Sequence, residues 1–433
     1  MRGRPRSRPQ RDVAQTLGPV IDAVVPGGLP VSVRFWDGSA TASCSSTALV
    51  VRAPAALRRL IWAPNELGLG RAYVSGEMDI EGDVFEALSV REVAEIHHRG
   101  PSLELGLAGW GRVLGAAWRL GLFRPPPPPP PEEARLHGRR HTRARDMAAI
   151  TYHYDISNDF YRLVLGETMA YSCAFFADPD LSLDQAQVHK HDLICRKLGL
   201  AAGMRLLDVG CGWGGMLLHA AARYGVRAIG VTVSEAQASF VSKRLADSEL
   251  GERVEVRLCD YRDVADGPYD AICSIGMFEH VGLARLGEYF ARLFSLLAPT
   301  GRFLNHGISR PVRSGGFSRR SFIDRYVFPD GELHEVGSVV SAMQHAGFEV
   351  RDVESLREHY ARTLRCWVEN LQSNWQAATA LVGPARARVW RLYMAASALN
   401  FEAGRTSIHQ VLAVKPDARG RSAMPPTRAS FAS

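Results

Sequence analysis

The eleven residues Arg205–Gly215, RLLDVGCGWGG, constrain this chain's fold more than any other stretch of the sequence. An apolar run carrying Asp208 leads directly into Gly210, Gly212, Gly214 and Gly215, and a helix-length apolar segment, MLLHAAARYG, follows. Glycines let the backbone turn sharply between a strand and a helix, and they let a ligand come within contact distance of the main chain. A dinucleotide fold places glycines at the same point with G-x-G-x-x-G spacing, whereas the spacing here is G-x-G-x-G-G. That difference, with Asp208 ahead of the loop, favours S-adenosylmethionine as the ligand.

From about Thr151 onward, strand-like runs alternate with helix-length segments, the pattern of a largely parallel sheet flanked by helices. RLLDVG, VRAIGVT, VEVRLCD, YDAICSIG, GRFLNHGI, FEVRDVES and HQVLAV read as its strands, and the last two follow a long interruption at Ser309 to Glu335. The fold expected is α/β: a class I methyltransferase, Rossmann-like, doubly wound sheet of seven strands with an inserted lid segment, plus a small N-terminal α+β domain. Such sheets bind ligands at their carboxyl edge. The second strand ends at Thr232 and runs into VSEAQ without the usual acidic residue for ribose hydroxyls, so Gln237 or Glu235 takes that role beside Thr232. Gln237 can both donate and accept hydrogen bonds. Asp260 and Tyr261, after the third strand, are placed to hold an adenine.

Pro125 to Pro131 is an unbroken proline run, necessarily extended, followed by the charged stretch EEARLHGRRHTRARD. The domain boundaries expected are a disordered basic tail over 1–14, an accessory domain over 15–123, a linker over 124–146, a methyltransferase domain over 147–415 and a disordered tail over 416–433. In the accessory domain VSVRFW alternates like a strand and REVAEIHH could be helical. Leu103, Leu107, Trp110, Leu114 and Trp118 fall near helical spacing, with Arg112 and Arg119 on another face. A membrane-surface helix and a helix docked on a core are both open readings.

A net charge of +7 suits an anionic partner, but no basic stripe interleaved with aromatics occurs in the folded parts, which argues against nucleic acid. The seven cysteines are scattered without a C-x-x-C pair, so neither a disulfide framework nor a metal site is expected, and a cytoplasmic location fits. The first residues carry arginines but no apolar signal-peptide core, and no apolar run approaches the roughly 18 residues that cross a membrane.

HYDISNDFYRL, ETMAYSCAFF, LLDVGCGWGG, CDYRD, SIGMFEHVG, RYVFPDGEL and HYARTLRCW together resemble the cyclopropane fatty acid synthase family over roughly residues 150 to 415. The resemblance implies that Tyr171 and Ser172 lie against the methionine part of S-adenosylmethionine. It makes Gly210, Gly212 and Trp213 the cofactor cradle, brings Gln237 to the ribose and Tyr261 near adenine, and has Ile275 and Gly276 line the same pocket. It further implies a bound bicarbonate serving as general base, held by the backbones of Cys173 and Ile308 and by Glu279, His306 and Tyr360. The family's usual L-H-T-I string is replaced here by Asn305, His306, Gly307 and Ile308, which keeps the histidine and isoleucine and leaves the pocket's shape open. Taken singly, His306 reads equally as a core histidine, Tyr360 as an ordinary buried aromatic, and Cys173 shows no sign of an acidic thiol.

By this resemblance the chain methylates the cis double bond of an unsaturated phospholipid at the membrane surface, as a cytoplasmic protein bound peripherally to the membrane's inner face. An alkene is a weak nucleophile, so the site must align it with the sulfonium methyl and exclude water, and aromatic faces would stabilise the resulting cation. Proton loss with ring closure gives a cyclopropane. A prior hydride shift gives a 10-methylene chain, which a separate reductase would saturate. Methylation of small amines, and a binding protein without turnover, are the competing readings; homodimer formation is also open.

Overall fold

The structure is a computed structural model that describes residues 12–25, 28–90, 107–134, 142, 145, 156–312 and 321–432. The chain divides into two compact units, one ending at Glu133 and including Pro384–Ala396, the other running over Ala134–Gly383 and Ser397–Ser433.

The second unit is built on a sheet of seven strands: β4 (Arg205–Val209), β5 (Arg227–Thr232), β6 (Val254–Leu258), β7 (Tyr269–Ile275), β8 (Leu297–Ser309), β9 (Glu349–Ser355) and β10 (Ser407–Val414). Their order is β6-β5-β4-β7-β8-β10-β9; β4 to β8 pair in parallel, and β10 runs antiparallel to both its neighbours. The central strands are nearly continuous apolar runs because both faces are covered. Successive side chains point to opposite faces. Thus Leu207, Ile272 and Phe303 pack into one core with helices Leu286–Leu296 and Val336–His345, while Leu206, Cys273 and Leu304 pack into another with helices Leu183–Leu198 and Gly215–Tyr224. The order reverses between β4 and β7, which opens a crevice at their carboxyl ends.

The fold class read from sequence is the one observed, including the smaller sheet of β1 (Ser32–Phe35), β2 (Ala48–Val51) and β3 (Met78–Glu81) in the first unit. The interruption after β8 folds back on the sheet: Ser309 bridges His334, and the Glu332 N–H donates to the Glu279 carbonyl over 3.2 Å. Between β9 and β10 the chain forms three helices, Arg357–Ser373, Trp375–Val382 and Pro384–Glu402.

Several boundaries differ from expectation. The 1–14 tail ends early, because Asp12 caps a helix at Val13–Val24 by accepting the Gln15 N–H at 2.7 Å; residues 1–11 lie outside the described residues. Of the 124–146 linker, the proline run is held in the first unit: buried Arg59, itself paired with Glu77, donates to the Pro127 and Pro128 carbonyls at 3.2 and 3.1 Å, and Arg71 pairs with Glu133 at 2.8 Å. Within the expected 147–415 span, Pro384–Ala396 belongs to the first compact unit, where Arg391 donates to Tyr73 Oη at 3.2 Å. REVAEIHH lies outside the described residues. In the helix Leu107–Arg119, Ala116 and Ala117 are buried, while Trp110, Leu114 and Trp118 are exposed at 48, 53 and 76%.

The 416–433 tail is folded rather than disordered over its described part. Arg428 pairs with Asp352 at 2.8 Å, Arg196 donates to the Phe431 carbonyl at 3.0 Å, and the Phe431 ring is buried in the core beside Ile194 and Leu198. Its lack of periodicity concealed this, because one aromatic and two polar ties anchor an otherwise irregular segment. Removing such a ring leaves a cavity costing on the order of 3 kcal/mol. Phe431→Ala should therefore lower the thermal unfolding midpoint by several degrees in a calorimetric scan, and an unchanged midpoint would show that the tail contributes no packing.

Candidate active site

The crevice at the carboxyl ends of β4 to β7 holds a cavity of about 610 Å³, and every cofactor residue nominated from sequence lines it. After β4, Gly210, Gly212 and Gly214 have φ of +80°, +54° and +80°, a region that favours glycine. The N–H groups of Gly210 and Cys211 both donate to the Val231 carbonyl at 3.0 Å, which pins the loop to β5. Trp213 is buried; its indole N–H donates to Asn158 Oδ1 at 2.8 Å and its ring lies 4.6 Å from that of Tyr161. Thr232 and Gln237 are tied by a 2.8 Å hydrogen bond from the hydroxyl to Oε1, which leaves the Gln237 amide N–H groups for a ligand. Asp260 grips Arg262, whose guanidinium lies 5.5 Å from the centre of the Tyr261 ring.

On the opposite wall, Tyr171 lies 5.3 Å from the Trp367 ring, and Ser172 accepts a hydrogen bond from Lys190 at 3.0 Å. Asp208 is buried and accepts the Cys273 thiol at 3.3 Å; burial pushes its carboxyl up to about 6. Ile275 pairs with His306 in the sheet, and Gly276, at φ +66°, donates its N–H to the His306 carbonyl over 2.8 Å.

The catalytic candidates do not line that cavity but form a linked cluster. Glu279 sits in a single helical turn, Phe278–His280, after β7, and its Oε1 accepts the Ile308 N–H at 2.7 Å. Its Oε2 is buried and has no hydrogen-bond partner among the described residues, and burial raises the carboxyl to about 7. Ile308's amide is thus committed to Glu279 rather than to a ligand. His306, two residues back on β8 and so on the same face, is buried; burial, then the Lys190 charge, holds its imidazole well below the ordinary range. Gln410 donates to His306 Nδ1 over 3.1 Å, the orientation that leaves the proton on Nε2, and Nε2 is itself buried without a partner among the described residues. Cys173 is wholly buried with its thiol donating to the Ala174 and Leu356 carbonyls at 3.2 and 3.6 Å, and burial pushes that thiol far up, so it is no nucleophile. Leu356 in turn donates to Ile408, the β10 partner of Ile308, and begins the turn that carries Tyr360, whose buried ring lies 4.7 Å from Phe401.

Sequence reasoning missed the helix Leu183–Leu198 as a functional element. Gln187 donates to the Ala170 and Ser172 carbonyls at 3.2 and 2.8 Å and so holds the Tyr171–Ser172 strip; Lys190 and His191 line the cavity. The signal was present, because Gln187, Lys190 and Lys197 share helical spacing with apolar Ile194, and polar side chains on a buried face need a reason. Gln410, second in HQVLAV, was open to the same argument. Among the described residues no group of histidine, cysteine and carboxylate side chains is arranged to hold a metal ion.

Comparison with known proteins bears on this arrangement. The family model described as mycolic acid cyclopropane synthetase matches residues 141–411. A probable fatty acid methyltransferase of Mycobacterium tuberculosis is 44% identical over 92% of this chain and 94% of its own length. A probable fatty acid methyltransferase of Pseudomonas putida is 42% identical over 92% of this chain and 95% of its own. Among solved structures, a mycolic acid cyclopropane synthase complexed with SAH and CTAB is 37% identical, covering 62% of this chain and 98% of that one with a TM-score of 0.59. With a family model matching well over half its length and relatives similar along nearly all of it, the chain belongs to the mycolic acid cyclopropane synthetase family of S-adenosylmethionine-dependent methyltransferases.

Proposed function

We propose that the chain methylates the cis double bond of an unsaturated phospholipid acyl chain, with a cyclopropane as the product. The observation that carries this reading is the pair of unmet buried groups, Glu279 Oε2 and His306 Nε2, on a cluster linked to the cofactor cavity through β7 and β8. Buried polar atoms without partners are rare and expensive unless a ligand satisfies them.

The residues present fit the donor. A Cβ on Gly212 or Gly276 would meet no protein atom within 4 Å, and both line the cavity, so these glycines keep its volume free. Gln237 would meet the ribose, Tyr261 and Asp260 the adenine, and Tyr171 and Ser172 the methionine part. S-adenosylmethionine supplies an electrophilic methyl group on a sulfonium centre.

They also fit a small oxyanion such as bicarbonate, which would supply the base for the final proton. Glu279, kept neutral up to about pH 7 by burial, offers a hydroxyl to an anion instead of repelling it. Neutral His306 offers Nε2–H, and Tyr360 stands on the adjoining helix. Tyr171 and Trp213 line the cavity and pack with Tyr161 and Trp367 in one aromatic group, whose rings would exclude water and suit a developing cation. A 10-methylene product is the second reading, favoured because the full-length relatives bear the name fatty acid methyltransferase rather than cyclopropane synthase.

The proposed lipid source is a membrane surface met peripherally. Trp110, Leu114 and Trp118 are exposed one turn apart on a helix that carries Arg112 and Arg119 and no acidic residue. Tryptophan with arginine on an amphipathic helix suits an anionic interface. Among the described residues no helix is long and apolar enough to cross a membrane.

Expression of the chain in a host fed a cis-unsaturated fatty acid should give phospholipid acyl chains heavier by one CH₂. A ring without a double bond identifies the cyclopropane and a retained double bond the methylene chain, while unmodified lipid would sink both. Glu279→Gln should bind S-adenosylhomocysteine within about twofold of wild type yet lose at least about tenfold in turnover, the equivalent of roughly 1.4 kcal/mol in the barrier; undiminished turnover would remove Glu279 from the mechanism. In sedimentation with anionic vesicles, the protein should bind more weakly as salt is raised and on replacing Leu114 and Trp118 by serine. Binding indifferent to both changes would contradict the membrane reading.

A further inference from the structure

Lys190 is buried to 1% exposure in the middle of the Leu183–Leu198 helix, on the face that packs against the sheet, and it lines the cofactor cavity. Among the described residues its one hydrogen bond goes to a neutral acceptor, Ser172 Oγ, at 3.0 Å. No carboxylate among the described residues lies within 4.0 Å of its ammonium, although Asp208 is near enough to be felt electrostatically. An ammonium carries three donors, so two remain uncommitted in a place water hardly reaches. Burial accordingly pushes it down to about 8. A buried cation with one neutral partner is a costly feature for a protein to keep unless an anion arrives to pair with it.

S-adenosylmethionine has a single anionic group, the α-carboxylate of its methionine part. Ser172, the residue Lys190 grips, belongs to the strip proposed to meet that part, and Gln187 fastens the same strip one helical turn earlier. We infer that Lys190 is the side chain that recognises the donor's α-carboxylate, pairing with it through a charge-assisted hydrogen bond while Ser172 orients the ammonium. The inference rests on the reading of this cavity as the donor site. It adds a discrimination that the glycine loop, Gln237 and Tyr261 do not supply, since those residues address backbone, ribose and base.

The test separates the carboxylate from the rest of the ligand. S-adenosylhomocysteine and its aminopropyl analogue, which lacks only the carboxylate, are titrated calorimetrically into the full chain and into Lys190→Met and Lys190→Arg. The methionine variant removes a buried charge without changing volume much, so its unfolding midpoint should match or exceed that of wild type; Lys190→Gln replaces it if it fails to fold. Wild type should bind S-adenosylhomocysteine roughly 10- to 100-fold more tightly than the analogue, the range of a charge-assisted hydrogen bond. Lys190→Met should erase that preference by weakening the first ligand alone, and Lys190→Arg should restore part of it. Equal weakening of both ligands, or no weakening of either, overturns the assignment. Wild-type protein that binds neither ligand overturns the donor-site reading itself, and the role of Lys190 with it.

Discussion

The register between β7 and β8 is the constraint on which the site depends. Ile275 stands opposite His306, the next amide, Gly276, closes on the His306 carbonyl at 2.8 Å, and the chain then turns so that Glu279 reaches the Ile308 N–H. Side chains alternate along a strand, so a slip of one residue would send His306 to the face occupied by Phe303 and bring Gly307 to the face it vacates. Gly307 also has its own packing reason: a Cβ there would fall 1.9 Å from the Phe278 ring, which lies directly before Glu279. The departure from the family's L-H-T-I string is thus coupled to how closely Phe278 packs on β8.

One face of the sheet carries the polar chemistry. His306 and Gln410 alternate with Phe303 and Val411, and so lie on the side covered by the Leu183–Leu198 helix, which brings Lys190. The other face is sealed by Tyr289, Phe290, Leu293 and Phe348. Two cores of different character on one sheet explain why a chain with unremarkable composition can bury a lysine, a histidine and a glutamine together without losing its hydrophobic foundation.

Much of this was legible in the sequence, and the limits are physical. Parallel strands buried on both faces announce themselves as apolar runs, and a glycine loop after the first of them has few structural alternatives, so the sheet and the residues that line the crevice at its carboxyl edge were legible. Periodicity failed where a segment is held by isolated contacts, as with Phe431 and the proline run on Arg59. It failed again where distant stretches join one unit, as Pro384–Ala396 does with the first. Lys190 and Gln410 escape a periodicity reading because a polar residue inside an apolar pattern is informative only through its burial, which the pattern does not carry.

The same burial sets the protonation of the whole site. Desolvation is the first cause of the shift at Glu279, His306, His280, Asp208 and Lys190, raising the carboxyls and lowering the bases, so each moves toward its uncharged form. Apart from Lys190, whose ammonium is still charged at neutral pH, a cleft of near-neutral donors and acceptors suits the proposed reaction, whose substrate carries no charge at the reacting bond. In the proposed reaction, full charges there would hold water, and water would compete with the alkene for a cationic centre. Under that proposal, polar groups poised near neutrality would orient an anion and pass a proton while leaving the cleft dry enough for an acyl chain.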